Sequence, residues 1–275
     1  MIFAAAAAAA VAWGGAAWAG STDLALTGRL QQGGFALGRT RPHALILVDD
    51  RLVGAASQTG LFVVGFDRDS PPVAVVEALW PHGSAQHVLQ IAPGRFDIQR
   101  INGLPPDQVE PTEPTLLARI AAEARRKAAG FASDDDDDAF RGGFILPVEA
   151  ARLSARFGGQ RILNGEPKRP HYGSDLAAPI GTPVRAPAPG RVSFAETGLH
   201  YEGGLILIDH GQGLVSAYLH LSKVEVVAGQ RVATGQVIGA VGMEGRATGP
   251  HLCWRLKWRG RNMDPMLMVG ARGPG

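Results

Sequence analysis

The chain has 275 residues, 45% apolar and 19% charged, with a net charge of +2 and one cysteine. That composition supports a packed core and excludes global disorder. The scattered lysines and arginines exclude the basic block expected of a nucleic-acid binder, and a lone cysteine excludes an internal disulfide framework.

Met1 to Trp18 carries no charged residue, and Ala17-Trp18-Ala19 fits a small-x-small cleavage site. Residues 1–19 therefore read as an export signal cut before Gly20. An uncleaved anchor is the alternative, because an apolar stretch of this length just spans a bilayer. Either reading places the rest outside the cytoplasm, in a periplasm or cell envelope.

Residues 20–110 hold short β-type runs at 44–48, 61–66, 73–76 and 96–101, separated by turn-forming stretches such as Asp49-Asp50-Arg51 and Ala92-Pro93-Gly94. This pattern predicts a small β-sandwich. His43, His82 and His87 have no ligand-like spacing and read as surface or core histidines. Residues 111–142 predict a helix from Pro114 to Ala129, with Leu116, Leu117, Ile120, Ala121 and Ala124 as its apolar stripe. Glu113 at its start and Arg125, Arg126 and Lys127 near its end suit the helix dipole. The unbroken run Asp134 to Asp138 lacks the spacing of a calcium loop. It reads as a solvated linker, which with the helix makes a semi-flexible spacer.

Residues 143–270 are rich in Gly, Pro and β-branched residues. They predict an antiparallel sheet of at least six strands, with a hairpin across His210-Gly211-Gln212-Gly213. The chain is thus expected to be mainly β, with a connecting helix. Within this last part, His171 and Asp175 lie four apart around Gly173. His251 and Cys253 have period-two spacing, so on a strand they face one side. His, Asp and Cys are all zinc donors, and three protein donors leave one position open, as in catalytic zinc sites.

The motifs His171-x-Gly-x-Asp175, Tyr218-x-His220-Leu-Ser222 and Thr248-Gly-Pro-His251-x-Cys253 occur in this order. Together with Gly181 to Gly190, Ile208 to Gly211 and Gly229 to Gly239, they resemble the lysostaphin/LytM-type metallopeptidases over roughly 144–267. The resemblance implies an antiparallel sheet with a groove, one zinc ion per chain, and cleavage of peptide bonds in peptidoglycan. By motif position it implies His171, Asp175 and Cys253 as zinc ligands and His220 and His251 as catalytic partners.

Cys253 departs from the family, which has the second histidine of a His-x-His pair there. Three outcomes follow: a working peptidase with a thiolate ligand, a metal site with weak turnover, or an inactive module that binds peptidoglycan or regulates another cell-wall hydrolase. A biotinyl-type carrier would need a Met-Lys-Met tip, and a serine hydrolase a nucleophile elbow around Ser174 or Ser222; neither is present. With no glycine-bridge-binding module recognisable, the direct D-alanyl–diaminopimelate cross-link is the expected target. The N-terminal domain is expected to cover the groove, position the peptidase or bind an envelope protein. Oligomeric state is not legible.

Overall fold

A computed structural model describes residues 19–21 and 23–274. Apart from Ala19, the expected export signal lies outside the described residues. Among the described residues no helix is long and apolar enough to cross a membrane.

Eight strands come first: β1 (Ala19–Ser21), β2 (Leu24–Arg29), β3 (Phe35–Arg39), β4 (Leu45–Val48), β5 (Arg51–Ala55), β6 (Leu61–Gly65), β7 (Val73–Trp80) and β8 (Gly83–Gln90). They form two four-stranded antiparallel sheets, ordered β1-β2-β3-β6 and β5-β4-β7-β8. The alternation along β7 turns Ala74, Val76 and Ala78 inward, as a half-buried strand requires. By contrast, every residue of β6 is buried. Its far side is covered by the second half of the chain: a side chain at Gly65 would meet Met263 and Trp258.

Next come β9 (Ile98–Ile101), the short α1 (Pro106–Val109) and α2 (Pro114–Phe131). Then follow β10 (Arg152–Ala155), β11 (Gln160–Leu163), β12 (Glu166–Pro167), β13 (Ser174–Ala177), β14 (Pro183–Arg185), β15 (Gly190–Leu199), β16 (Gly203–Asp209), β17 (Leu214–Leu221), β18 (Lys223–Val224), β19 (Arg231–Val232), β20 (Val237–Ala240), β21 (His251–Trp258) and β22 (Arg261–Met263). The main sheet has eight strands in the order β10-β13-β21-β17-β16-β15-β19, with β22 beside β21. Strands β14, β20 and β18 make a smaller sheet. The hairpin expected across His210–Gly213 is the β16–β17 pair.

Helix α2 begins at Pro114 as expected and is capped by the Glu113 carboxylate, which accepts from the amides of Thr115 and Leu116. Its inward face differs from the predicted stripe. Leu116, Ile120, Glu123, Lys127 and Gly130 turn toward the sheet, whereas Leu117, Ala121 and Ala124 are exposed. Charge pairing and close approach decide this. Glu123 accepts from Arg119 and from the His200 amide, and Lys127 donates to Glu202 at 2.7 Å. Gly130 lies so close to Leu207 and Phe194 that a Cβ would sit 2.9 Å from each.

The acidic run is a clasp rather than a spacer. Asp134 pairs with Arg259 at 2.7 Å, Asp135 with Arg191 at 2.7 Å, and Asp137 with Arg231 at 3.0 Å. Asp136 accepts from Gln212, and Asp138 is buried against Ser57 and Thr59 of the sandwich. Arginines from distant parts of the chain offset the self-repulsion that the sequence suggests. The run lies against the β16–β17 turn, where a Cβ on Gly211 would sit 1.9 Å from the Asp137 carbonyl oxygen.

The sandwich is docked onto the second half, not tethered to it. One hydrophobic core runs from Phe62 and Phe66 to Trp254, Trp258 and Met263. The Asp264 amide donates to Gly33 O and the Asn262 amide to Asp67. Strand β9 also pairs in parallel with β11, just ahead of His171 in the chain.

Candidate active site

Strand β21 organises the site. Asp175 on β13 lies opposite Cys253, and Ala177 lies opposite His251. Directly paired residues point to the same face of a sheet, and residues two apart on a strand do so too. His251, Cys253, Arg255 and Asp175 therefore share one face. His171 reaches that face from the loop before β13. Its amide donates to Gly159 O at 2.8 Å, and its carbonyl accepts from the Gly158 amide at 2.7 Å. Gly173, between His171 and Asp175, has a steric reason to be glycine. A Cβ there would stand 2.7 Å from Arg255 Cγ and 3.0 Å from Cys253 Sγ.

His220 is turned toward the site by a β-bulge. Between the Gly204–Leu221 and Ile206–Tyr218 pairs, β17 carries one residue more than β16. His220 takes up φ +66°, a left-handed conformation that is costly for a residue with a Cβ.

The structure brings all five sequence-predicted site residues together. One donor atom from each of His171, Asp175 and Cys253 lies within 4.8 Å of the others. His171 Nε2 is 3.1 Å from Asp175 Oδ1 and 3.3 Å from Cys253 Sγ. His251 Nε2 is 3.7 Å from the same Asp175 Oδ1, and the His220 and His251 rings are centred 4.8 Å apart.

Burial acts against a charged His171, but Cys253 and Asp175 outweigh it and its pKa is raised. Burial likewise opposes ionisation of Asp175, yet His171, His251 and Arg161 hold its carboxyl well below the usual carboxylate range. Burial pushes His220 down to about 4 and lowers His251 as well, so both are neutral near pH 7. Each has its Nδ1 fixed by a backbone carbonyl: Glu244 O at 2.7 Å for His220, and Gly249 O at 2.8 Å for His251. A carbonyl only accepts, so Nδ1–H is the donor and each Nε2 keeps its lone pair.

The donor set fits a zinc ion. Asp175 Oδ1 is buried with no hydrogen-bond donor aligned on it, although His171 Nε2 lies 3.1 Å away. Leaving a buried acceptor so costs roughly 1–3 kcal/mol, and a cation between these atoms would remove that cost. Imidazole, carboxylate and cysteine sulfur together are borderline-soft ligands that suit zinc.

The other histidines lie elsewhere. His210 is held between Pro189 O and Ser216, His200 lies beside Asp107 and Tyr201, and His87 meets Leu24 O. A cavity of about 470 Å³ lies beside the acidic run, lined by Asp137, Arg141, Phe144 and Arg272 rather than by the donor set. Sequence reasoning missed the arginines next to the donors. Arg161 Nη2 is 3.9 Å from Asp175 Oδ2, and Arg255 Nε donates to Cys253 Sγ at 3.4 Å. The period-two face of His251 and Cys253, continued by one step, reaches Arg255; no spacing signals Arg161.

The model of Peptidase family M23 matches residues 169–265, the stretch that carries all five residues. This part of the chain is an M23 peptidase domain. The chain is 44% identical over 124 residues to Peptidoglycan DD-endopeptidase ShyA of Vibrio cholerae, covering 44% of this chain and 28% of that protein. It is 40% identical over 130 residues to DD-carboxypeptidase/endopeptidase Mpg of Neisseria meningitidis, covering 47% of this chain and 30% of that one. The chain therefore spans under a third of the length of these curated relatives. A solved structure assigned to peptidase M23 from Pseudomonas aeruginosa superposes with a TM-score of 0.67 at 29% identity. It covers 88% of this chain and 96% of that one, so the likeness extends beyond the M23 domain into the N-terminal sandwich.

Proposed function

We propose that this protein is a zinc-dependent endopeptidase that cuts peptide cross-links of peptidoglycan in the cell envelope. The observation that carries the reading is the convergence of His171, Asp175 and Cys253 within 4.8 Å beside two neutral histidines. The names of the two relatives point the same way.

In this reading His171, Asp175 and Cys253 hold one zinc ion. When bound, zinc supplies Lewis-acid polarisation of a peptide carbonyl and acidifies water. His251 Nε2, aimed at the space beside Asp175, accepts a proton as general base. His220, whose Nδ1 is fixed on Glu244 O, presents Nε2 to the same space. A histidine that has taken up a proton becomes a donor and stabilises the negative charge that develops on the scissile carbonyl oxygen. The hydrogen bonds of both rings to backbone carbonyls fix the tautomer before substrate arrives.

The proposed organisation is a leader over 1–19, a sandwich over 20–110, a helix with the acidic clasp over 111–142, and the peptidase domain over 143–270. The sandwich presents its outer surface to envelope partners while its β9 buttresses the segment leading to His171. The test is direct: purified protein is assayed for zinc content and for release of monomers from cross-linked peptidoglycan, before and after chelation. Metal-free protein with a folded peptidase domain would sink the site assignment.

A further inference from the structure

A sulfur in the donor set changes its charge. Carboxylate and thiolate each carry one negative charge, and imidazole carries none. His171, Asp175 and Cys253 together therefore neutralise a divalent cation in full. Two imidazoles and one carboxylate would leave one positive charge over. A neutral centre is a weaker Lewis acid, and a buried sulfur anion is costly unless a hydrogen-bond donor reaches it.

Strand β21 supplies such a donor. Arg255 lies two residues beyond Cys253, so both side chains leave the same face. Arg255 Nε donates to Cys253 Sγ at 3.4 Å. Both side chains pack over Gly173, where a Cβ would stand 2.7 Å from Arg255 Cγ and 3.0 Å from Cys253 Sγ. The sheet fixes the pair from either side: β21 runs between β13 and β17, with Cys253 opposite Asp175 and Leu219, and Arg255 opposite Ala217. Cys253 shares a buried cluster with Leu207, Ala217 and Leu219, and low-dielectric surroundings strengthen a charge-assisted bond. Burial opposes the Arg255 charge, but Cys253, Glu202 and Asp175 outweigh it.

We propose that Arg255 is a positioning residue of the metal site, which orients the Cys253 thiolate and shares its negative charge through the Nε–H hydrogen bond. This deepens the zinc reading and rests on it. The guanidinium stabilises the sulfur in the anionic form that binds a cation. By taking up part of that charge it keeps the centre electrophilic, and so offsets part of what the change from imidazole to sulfur removes. Groups that hydrogen-bond a metal ligand tune affinity in this way without touching the metal.

Cys253 and Arg255 are thus a matched pair. Beside a thiolate the arginine has an anion to stabilise. Beside a neutral imidazole in the same position it has none, and its positive charge would only repel a bound cation. A merely structural role for Arg255, such as filling space over Gly173, would be the same in both cases.

The test is a double-mutant cycle on zinc affinity, read by competition against a chromophoric chelator with circular dichroism to confirm the fold. Arg255→Met is expected to weaken zinc binding about tenfold or more in the native chain. In the Cys253→His background the same change is expected to leave affinity unchanged or to raise it. Arg255→Lys, which keeps the charge but not the planar donor, is expected to retain part of the native affinity. A second reading uses cobalt(II) as the probe. Loss of the hydrogen bond raises the energy of the sulfur lone pairs, so Arg255→Met is expected to move the sulfur-to-cobalt charge-transfer band to longer wavelength. Equal losses of zinc affinity in the two backgrounds overturn the proposal and leave the zinc reading standing, as does an unshifted cobalt band. A native chain that binds no zinc overturns both.

Discussion

Replacing Cys253 by serine exchanges a thiolate donor for a neutral hydroxyl with little change in volume. Cys253 is 1% exposed and packs with Ala217, Leu219 and Leu207, so the sheet is expected to persist. Its sulfur is one of three donors within 4.8 Å, 3.3 Å from His171 Nε2. A four-donor zinc site is worth about 10–16 kcal/mol. An equal share is about 2.5–4 kcal/mol per donor, so Cys253→Ser is expected to weaken zinc binding by roughly 70- to 900-fold. The assay is competition for zinc against a chromophoric chelator, with circular dichroism to confirm the fold. Cys253→His is expected to keep affinity and to raise activity near neutral pH, because it removes one of two negative charges from the donor set. Zinc affinity within threefold of the native value in Cys253→Ser would refute the reasoning and remove Cys253 from the donor set.

His220→Ala is expected to lower kcat by roughly 10²- to 10⁴-fold while zinc content stays unchanged; a parallel loss of zinc would make His220 a ligand or a structural support. His210, outside the donor set, carries a pH signature. It is fully buried against Pro189 O and Ser216, and burial pushes it down to about 4. Unfolding restores a pKa near 6.5, so between about pH 6.5 and 4 the unfolded state binds the extra proton and stability falls as pH falls, by about 3 kcal/mol over the whole span. Denaturant titrations across this range should show a flatter decline in His210→Gln than in the native chain; an equal slope contradicts the assignment. Arg191→Ala releases Asp135, an exchange worth up to about 1 kcal/mol for a partly exposed pair. Faster amide hydrogen exchange over 134–138 is the expected result, and unchanged exchange would mean that the clasp is held elsewhere.

Much of the site was legible because four of its five residues fall in two short-range pairs, 171/175 and 251/253. The spacing of His171 and Asp175 and the period-two pair His251 and Cys253 survive as geometry, since β13 and β21 are neighbours and put Asp175 opposite Cys253. The β16–β17 hairpin was legible from its glycine-rich turn. Less visible were features that depend on distant partners. Leu117, Ala121 and Ala124 make a fair apolar stripe, but α2 instead turns Glu123 and Lys127 inward because the His200 amide, Arg119 and Glu202 await them. Asp134 to Asp138 reads as a repelling run until Arg191, Arg231 and Arg259 are brought beside it. The bulge that presents His220, and the approach of Arg161 to Asp175, likewise arise only once the strands are paired.

The central claim is that this donor set drives cleavage of peptidoglycan cross-links. The most direct measurement is mass analysis of fragments released from purified sacculi by the full chain, run alongside its metal content. The account predicts about one zinc per chain, with dimers converted to monomers, and no conversion after chelation until zinc is restored. Zinc-loaded protein that leaves every dimer intact, or cleavage that continues in metal-free protein, would contradict it.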